Sequence, residues 1–314
     1  MSERILCVNA NAAIDKTVVV KNYRLDEIHH PERVLALPGG KGCNVARAFK
    51  CLGGTPVVAG WVGGFAGQFI EAGLQREGIE TRFVQTPFES RECIAVLDPD
   101  HHTLTEIYER GDAVPSAQVN AFRDLLRAML PEFSAMTLSG SLPPGVPRDF
   151  YGDLIDLAHA ANVPVILDTS GKALQFSIAH QPAFVKPNRN ELQELLGRKL
   201  KTRAEFTNAV RELAARYETG VVLSLGAEGA LAVDHKKVYH ARPPHIEVKS
   251  AVGSGDSMVA GLAYALTRGR AFEEIVRYGV AAGAANALTI GAGIFTRADF
   301  ERVLRAVQVN ALVT

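Results

Sequence analysis

Apolar and polar residues change period repeatedly along this chain. Short apolar runs bounded by turn residues recur as "ILCVNA" (5–10), "VVAGWV" (57–62), "AMTLSG" (135–140), "VPVILD" (163–168), "AFVK" (183–186) and "VVLSLG" (221–226), the length and composition of buried strands. Between them the period lengthens to that of a helix. Val45, Ala48, Phe49 and Leu52 stand at i, i+3, i+4 and i+7, and Gly53 is placed to end that helix. Val119, Phe122, Leu126 and Met129 repeat the stripe, and Leu213 and Tyr217 belong to another over 203–217. Apolar strands alternating with one-sided helices predict an α/β fold, a mostly parallel central sheet with helices on both faces.

Two segments break this rhythm. Residues 16–38 and 91–110 alternate like strands with no helix between them, and the second turns at Asp98-Pro99-Asp100. They predict a small β-sheet outside the main one, a discontinuous lid (about 16–38 and 91–110) over a core of about 1–15, 39–90 and 111–314. Closing such a lid would exclude water from a site at the carboxyl ends of the parallel strands.

Composition narrows the chemistry. The 314 residues carry 34 Lys+Arg against 34 Asp+Glu, so no overall field draws the chain to nucleic acid or to an anionic membrane, and charge recognition must be local. Cys7, Cys43, Cys51 and Cys93 show neither CxxC spacing nor disulfide density, as reduced thiols in the cytoplasm would. The first apolar run is too short for a signal peptide, and no segment approaches the ~20 apolar residues that span a bilayer.

Two glycine-rich turns, "PGGKGCNVARA" (38–48) and "AVGSGDSMVAG" (251–261), run directly into apolar helices, where backbone N–H groups can bind anions. Neither fits GxxxxGK[ST], since position 35 is Leu and Lys41 is followed by Gly42; GxGxxG fails at Met258. Asp256, at the second helix start, reads as a cap or first-turn residue beside the helix dipole. Taken alone the segment favours that reading; the other is a proton acceptor, with Gly253, Ser254 and Gly255 presenting N–H groups to phosphoryl oxygens and the dipole keeping Asp256 ionised.

These turns resemble the paired signatures of PfkB-type sugar kinases of the ribokinase-like superfamily. The resemblance covers nearly the whole chain, because "NAAID" (11–15), "TLSGSLPPGV" (137–146), "VKPNRNEL" (185–192) and "VVLSLGAEGAL" (221–231) follow in the family's order and spacing. The wording "SGSLPPGV" and "SLGAEGA" is similar to the branch containing 1-phosphofructokinase and tagatose-6-phosphate kinase. The resemblance implies a ribokinase-like fold and an ATP- and Mg²⁺-dependent kinase acting on a small sugar phosphate. In it Asp256 is the general base and Gly253, Ser254 and Gly255 the anion hole. Asp15, Gly39, Gly40, Lys41 and Asn44 lie against the sugar, with Arg91, Ser139 and Ser141 toward its existing phosphate. Asn188, Ser224, Gly226, Gly229, Gly283 and Asn286 hold the nucleotide, and Glu191 with Asn188 orders Mg²⁺ through water.

Each of these residues also has a plain structural reading. Asp15 suits a solvated loop, Asn44 a cap for the helix of 45–52, Lys41 and Arg91 the surface, and Asn188 with Glu191 a capping box. "SLGAEGA" fits a strand and tight turn, and Gly283 and Asn286 fit close helix packing. The chain also departs from the family: Asn11-Ala12-Ala13 replaces Asn-Pro-Ala, Ala251 a threonine and Ser254 an alanine, while His30 and Tyr108 stand where relatives often have a basic residue and asparagine. These leave the identity of the sugar phosphate open. Other classes remain in view: a non-catalytic sugar-phosphate sensor, against which the intact Asp256 turn speaks, and a nicotinamide oxidoreductase, against which the missing GxGxxG speaks. The exposed lid further implies a homodimer formed through it.

Overall fold

The computed structural model describes residues 4–234 and 237–312. In chain order the first half contains β1 (Arg4–Asn9), β2 (Ala13–Val19), β3 (Arg33–Gly39), α1 (Lys41–Cys51), β4 (Thr55–Val62), α2 (Gly64–Arg76), β5 (Glu80–Gln85), β6 (Arg91–Asp98), β7 (Thr103–Tyr108), α3 (Ser116–Met129) and β8 (Ala135–Ser139). There follow α4 (Phe150–Ala160), β9 (Val165–Asp168), α5 (Gly171–Ser177), β10 (Phe184–Val185), α6 (Arg189–Leu196), α7 (Arg203–Tyr217), β11 (Gly220–Ser224), β12 (Ala230–Val233), β13 (Val238–Arg242), α8 (Ser254–Leu266), α9 (Phe272–Ala287), α10 (Arg297–Ala306) and β14 (Gln308–Leu312).

Ten strands form one sheet in the order β14-β13-β12-β11-β10-β9-β8-β1-β4-β5. From β5 to β11 every pairing is parallel, and β12, β13 and β14 extend the sheet antiparallel. Strand alternation sorts the core into two layers. Ile5 and Cys7 of β1 face the cluster of α1, α8, α9 and α10, while Leu6 and Val8 face that of α3, α4 and α7. The stripe Val119, Phe122, Leu126 and Met129 is the buried face of α3, each large side chain contributing about 1.5–3 kcal/mol by leaving water. α8 and α9 approach closely because a Cβ on Gly261 would meet the Tyr278 carbonyl oxygen at 2.4 Å.

A second sheet, in the order β3-β2-β6-β7, is built from the two rhythm-breaking segments. It reaches further than their sequence pattern: β2 begins at Ala13 and β3 ends at Gly39, so Asp15 and Gly39 stand on the small sheet. The chain passes from β1 to β4 and β5 on one side and then returns to β8 on the other. Such a reversal opens a crevice at the strands' carboxyl ends, the usual place for a ligand in an open α/β sheet. No helix among the described residues is long and apolar enough to cross a membrane.

Candidate active site

At that crevice α8 starts with Gly253 in the left-handed conformation (φ 79°). Only glycine fits, because a Cβ there would lie 2.5 Å from Ala292 Cα. The turn is pinned from behind by Asn286, whose Nδ2 donates to the Val252 carbonyl (2.8 Å) while its Oδ1 accepts from Ser257 Oγ (3.1 Å) and Gly293 N–H (2.8 Å). Ser254 N–H is spent on the Ala251 carbonyl at 3.2 Å. The N–H groups of Gly253, Gly255 and Asp256 have no partner among the described residues. Of the Gly253–Ser254–Gly255 trio expected from sequence, the two glycines thus keep a free N–H and Ser254 does not, while Asp256 adds its own.

Asp256 is in the first turn of α8, 7% exposed, and does not act as its cap. Its Oδ2 accepts from Asn44 Nδ2 at 2.9 Å. Burial pushes its pKa up to about 6, with Lys41 pulling against that rise and Asp168 adding to it. Desolvation outweighs the helix dipole here, yet with a pKa near 6 the carboxylate is ionised at neutral pH.

α1 starts at Lys41, four residues before the stripe expected from sequence, so Asn44 lies inside the helix and does not cap it. The cap comes instead from Asn9 at the end of β1, whose Oδ1 accepts from Gly42 N–H (3.1 Å) and whose Nδ2 donates to the Gly39 carbonyl (3.0 Å). Gly40 (φ 93°) donates its N–H to Asp15 Oδ2 at 3.3 Å. Asp15 rests against Gly39, where a Cβ would stand 2.2 Å from its Cγ. Burial raises the Asp15 pKa, opposed by the Gly40 N–H and by Arg91 and Arg47. Arg47 fixes Asn44: its Nη1 donates to Asn44 Oδ1 (3.2 Å), which turns the amide nitrogen toward Asp256, and Glu77 holds Arg47 in place (2.8 Å).

Between the two helix starts lies a buried ion cluster. Asp168, at the end of β9, is 3.1 Å from Lys186 Nζ and 3.4 Å from Lys41 Nζ. Burial alone would raise the Asp168 pKa, but Lys186 and Lys41 more than offset it and the net shift is downward; Asp168 in turn raises that of Lys41. Lys186 also reaches α8, its Nζ 3.6 Å from where a Cβ on Gly255 would be. The crevice thus offers two ammonium groups and the open N–H groups of the α8 start beside Asp256, a carboxylate in no ion pair among the described residues.

Next to Lys186, Asn188 caps α6 in a full capping box: Asn188 accepts from the N–H groups of Asn190 and Glu191, and Glu191 Oε2 accepts from Asn188 N–H at 2.8 Å. Asn188 bridges to Ser224. Gly226 (φ 66°) faces open space, and Gly229 is confined to glycine by the Ala241 carbonyl, 2.0 Å from a Cβ. The described residues hold no cluster of acidic, histidine or cysteine side chains fit to cage a metal. The free oxygen of Glu191 suits Mg²⁺, which keeps several waters and takes its remaining ligands from phosphate oxygens.

Other expected residues are placed differently. Asn286 is fully buried with its amide engaged inside the protein, and a Cβ on Gly283 would stand 3.0 Å from the Ser254 carbonyl oxygen, so both support the α8 turn. Ser139 ends β8 with its hydroxyl sealed from solvent, because it is a paired sheet residue opposite Asp168; Ser141 lies at the surface beside Asn11 (3.0 Å). Arg91 opens β6 beside Ala13 and donates to the carbonyls of Asn11 and Glu109, both at 3.2 Å. Tyr108 bonds Glu106 at 2.6 Å in the cross-strand row Asp15–Cys93–Tyr108, and His30 is exposed in the β2–β3 loop. Sequence reasoning missed Asn9, Arg47, Asp168 and Lys186. For the last two a signal existed: a charged residue closing an apolar strand run, "VILD" and "FVK", at the sheet edge where ligands bind.

Comparison with known proteins places this geometry. Residues 5–298 match the description "pfkB family carbohydrate kinase". A tagatose-6-phosphate kinase of Staphylococcus epidermidis is 32% identical over 97% of this chain and 99% of its own. Phosphofructokinase-2 from Escherichia coli, solved with potassium and also with fructose-6-phosphate, superposes with a TM-score of 0.90 at 29% identity, covering 96% of this chain and 98% of its own. A structure described as "Possible 1-phosphofructokinase" from Thermotoga maritima gives 0.90 at 26% identity over 99% and 100%. A large mostly parallel sheet, a small separate sheet and a kinase-type helix start thus occur together in a chain that belongs to the pfkB family of carbohydrate kinases, phosphotransferases with an alcohol acceptor.

Proposed function

We propose that the protein transfers the γ-phosphoryl group of ATP to the free primary hydroxyl of a phosphorylated ketohexose, with fructose 1-phosphate as first substrate and fructose 1,6-bisphosphate as product. The observation that carries this reading is Asp256, a buried carboxylate on the first turn of α8 beside unpartnered N–H groups and within the field of Lys41 and Lys186. Asp256 takes the proton of the acceptor hydroxyl, held in line by Asn44. Gly255 and Asp256 N–H groups and Lys186 face the transferring phosphoryl oxygens, where positioning and charge neutralisation supply most of the rate.

Asp15 accepts from sugar hydroxyls, Lys41 adds positive charge, and Arg91 receives the phosphate already on the sugar; its guanidinium is anchored through backbone carbonyls and beside Asp15. Asn188, Ser224, Gly226 and Gly229 line the nucleotide. Mg²⁺, held through water by Glu191 with Asn188, would neutralise phosphate charge. The small sheet acts as a lid, and it also supports a homodimer: among the described residues Leu25, Ile28, Val34, Leu104, Ile107 and Tyr108 are exposed apolar or aromatic side chains on its strands and loops, side chains that a second copy would cover. Four free cysteines suit a cytoplasmic setting.

The identity to a tagatose-6-phosphate kinase favours tagatose 6-phosphate as the second reading, with fructose 6-phosphate beside it. Purified protein assayed with ATP, Mg²⁺ and a panel of sugars and sugar phosphates decides between them. Fastest turnover of fructose 1-phosphate is expected; faster turnover of free ribose or a nucleoside than of any sugar phosphate would overturn the assignment.

A further inference from the structure

On the face of the sheet away from α8, the starts of α6 and α7 and the turn between β11 and β12 enclose a second cavity of about 490 Å³. Its floor is apolar, with Leu200, Phe206, Leu225 and Leu231. Its wall carries Arg189, Lys201 and Arg203 against a single acid, Glu228. Behind the wall His240 of β13 is 1% exposed. Its Nε2 stands 3.0 Å from the Glu228 carbonyl, so that nitrogen carries the hydrogen and donates. Nδ1 is then the acceptor for Arg242 Nε at 2.9 Å, and Arg203 Nη2 lies against the ring, 2.9 Å from Nδ1 and 2.8 Å from Nε2.

Charge is unbalanced in this cluster. Burial, together with Arg203 and Arg242, holds the His240 pKa down, so the imidazole stays neutral. The Glu228 carboxylate pairs with Arg189 through one oxygen. Glu205, the neighbouring acid, accepts from the backbone N–H groups of Lys201 and Thr202 through Oε2. The Arg203 guanidinium hydrogen-bonds only toward the imidazole among the described residues, within the field of Glu228. Three cations thus face one carboxylate in the lining of a cavity large enough for a small molecule.

We propose that this cavity is a second anion site, which takes a small organic phosphate: its dianion seats among Arg189, Lys201 and Arg203 and its carbon skeleton lies on the Leu200–Phe206 floor. Guanidinium forks match phosphate oxygens in pairs, and an anion here supplies the negative charge that the cavity lining lacks. The site also touches the nucleotide side. Glu228 ends the turn Gly226–Glu228, its carbonyl is held by His240 and its carboxylate by Arg189, so an anion that draws Arg189 away loosens that turn. Resting on the reading of Gly226 and Gly229 as nucleotide residues, occupation of the cavity changes the KM for ATP.

Titration calorimetry with inorganic phosphate at fixed ionic strength tests the site itself. Lys201→Met, an exposed change that leaves the fold intact, and Arg203→Met are each expected to weaken phosphate binding at this site about tenfold or more, while Arg305→Met, the same loss of charge at an exposed position of α10, leaves it unchanged. Wild-type binding by Lys201→Met and Arg203→Met, or an equal loss in Arg305→Met, would overturn the proposal. Kinase turnover plays no part in this measurement, so failure of the substrate assignment leaves its outcome readable. In the active enzyme, phosphate is expected to shift the KM for ATP in the wild type and not in Lys201→Met; equal shifts in both would place the effect at the active site.

Discussion

The two glycine turns look alike in sequence and are treated differently by the fold. Both place a positive-φ glycine, Gly40 or Gly253, before a buried helix. At α1 side chains reach into the start, Asp15 taking the Gly40 N–H and Asn9 the Gly42 N–H, and leave those of Lys41 and Cys43 without partners among the described residues. At α8 the supporting amide of Asn286 binds from behind, and Gly255 and Asp256 keep their N–H groups free. A glycine-rich helix start is thus only a vacancy for an acceptor. Whether it becomes structure or chemistry depends on which side chain reaches it, and the two starts meet through the Asn44–Asp256 bond.

The largest difference expected between them is at Asp256. Asp256→Asn should lower kcat roughly 10²–10⁴-fold, read in a coupled assay at saturating ATP and sugar phosphate. Next, Lys186→Met removes the charge beside the open N–H groups and leaves Asp168 with Lys41 alone; kcat should fall about 10²-fold, with circular dichroism confirming the fold. Gly253→Ala sets a Cβ against Ala292 and forces an alanine into φ 79°, so urea unfolding should show a loss of about 2–3 kcal/mol. Asn9→Ala attacks the start that a side chain caps: a loss of about 1–2 kcal/mol, a raised KM for the sugar phosphate, and kcat within a few-fold of wild type. Equal effects of Asn9→Ala and Lys186→Met on kcat would erase the contrast between the two starts.

Much of the scaffold is legible because its signals are local. The α3 stripe, the Asn188–Glu191 capping box and the alternating runs of β1 and β4 state their roles within a few residues. The start of α1 is not legible in this way, since its cap is Asn9, 33 positions away from Gly42. The same distance problem hides Arg47, whose partners come from α2, from Pro38 and from Ala292. Asp168 and Lys186 read as strand ends until the sheet aligns β9 with β10. Asn286 misleads for the opposite reason: it does serve the site, by holding the α8 turn from inside.

The central claim, that the open start of α8 carries a carboxylate kept for proton transfer and not for stability, is tested most directly by the unfolding free energy of Asp256→Asn against wild type across pH. The folded pKa, about 6, lies above the ordinary 3.8, so the folded state binds this proton more tightly than the unfolded chain. Ionising Asp256 therefore destabilises the fold, an effect absent below about pH 4, growing through the window between the two values and complete above about pH 6. The account predicts that the inactive Asp256→Asn is more stable than wild type at pH 7, by up to about 3 kcal/mol, and that the gap closes as pH falls toward 4. A variant less stable than wild type at pH 7 that still turns over would contradict it and make Asp256 a structural residue.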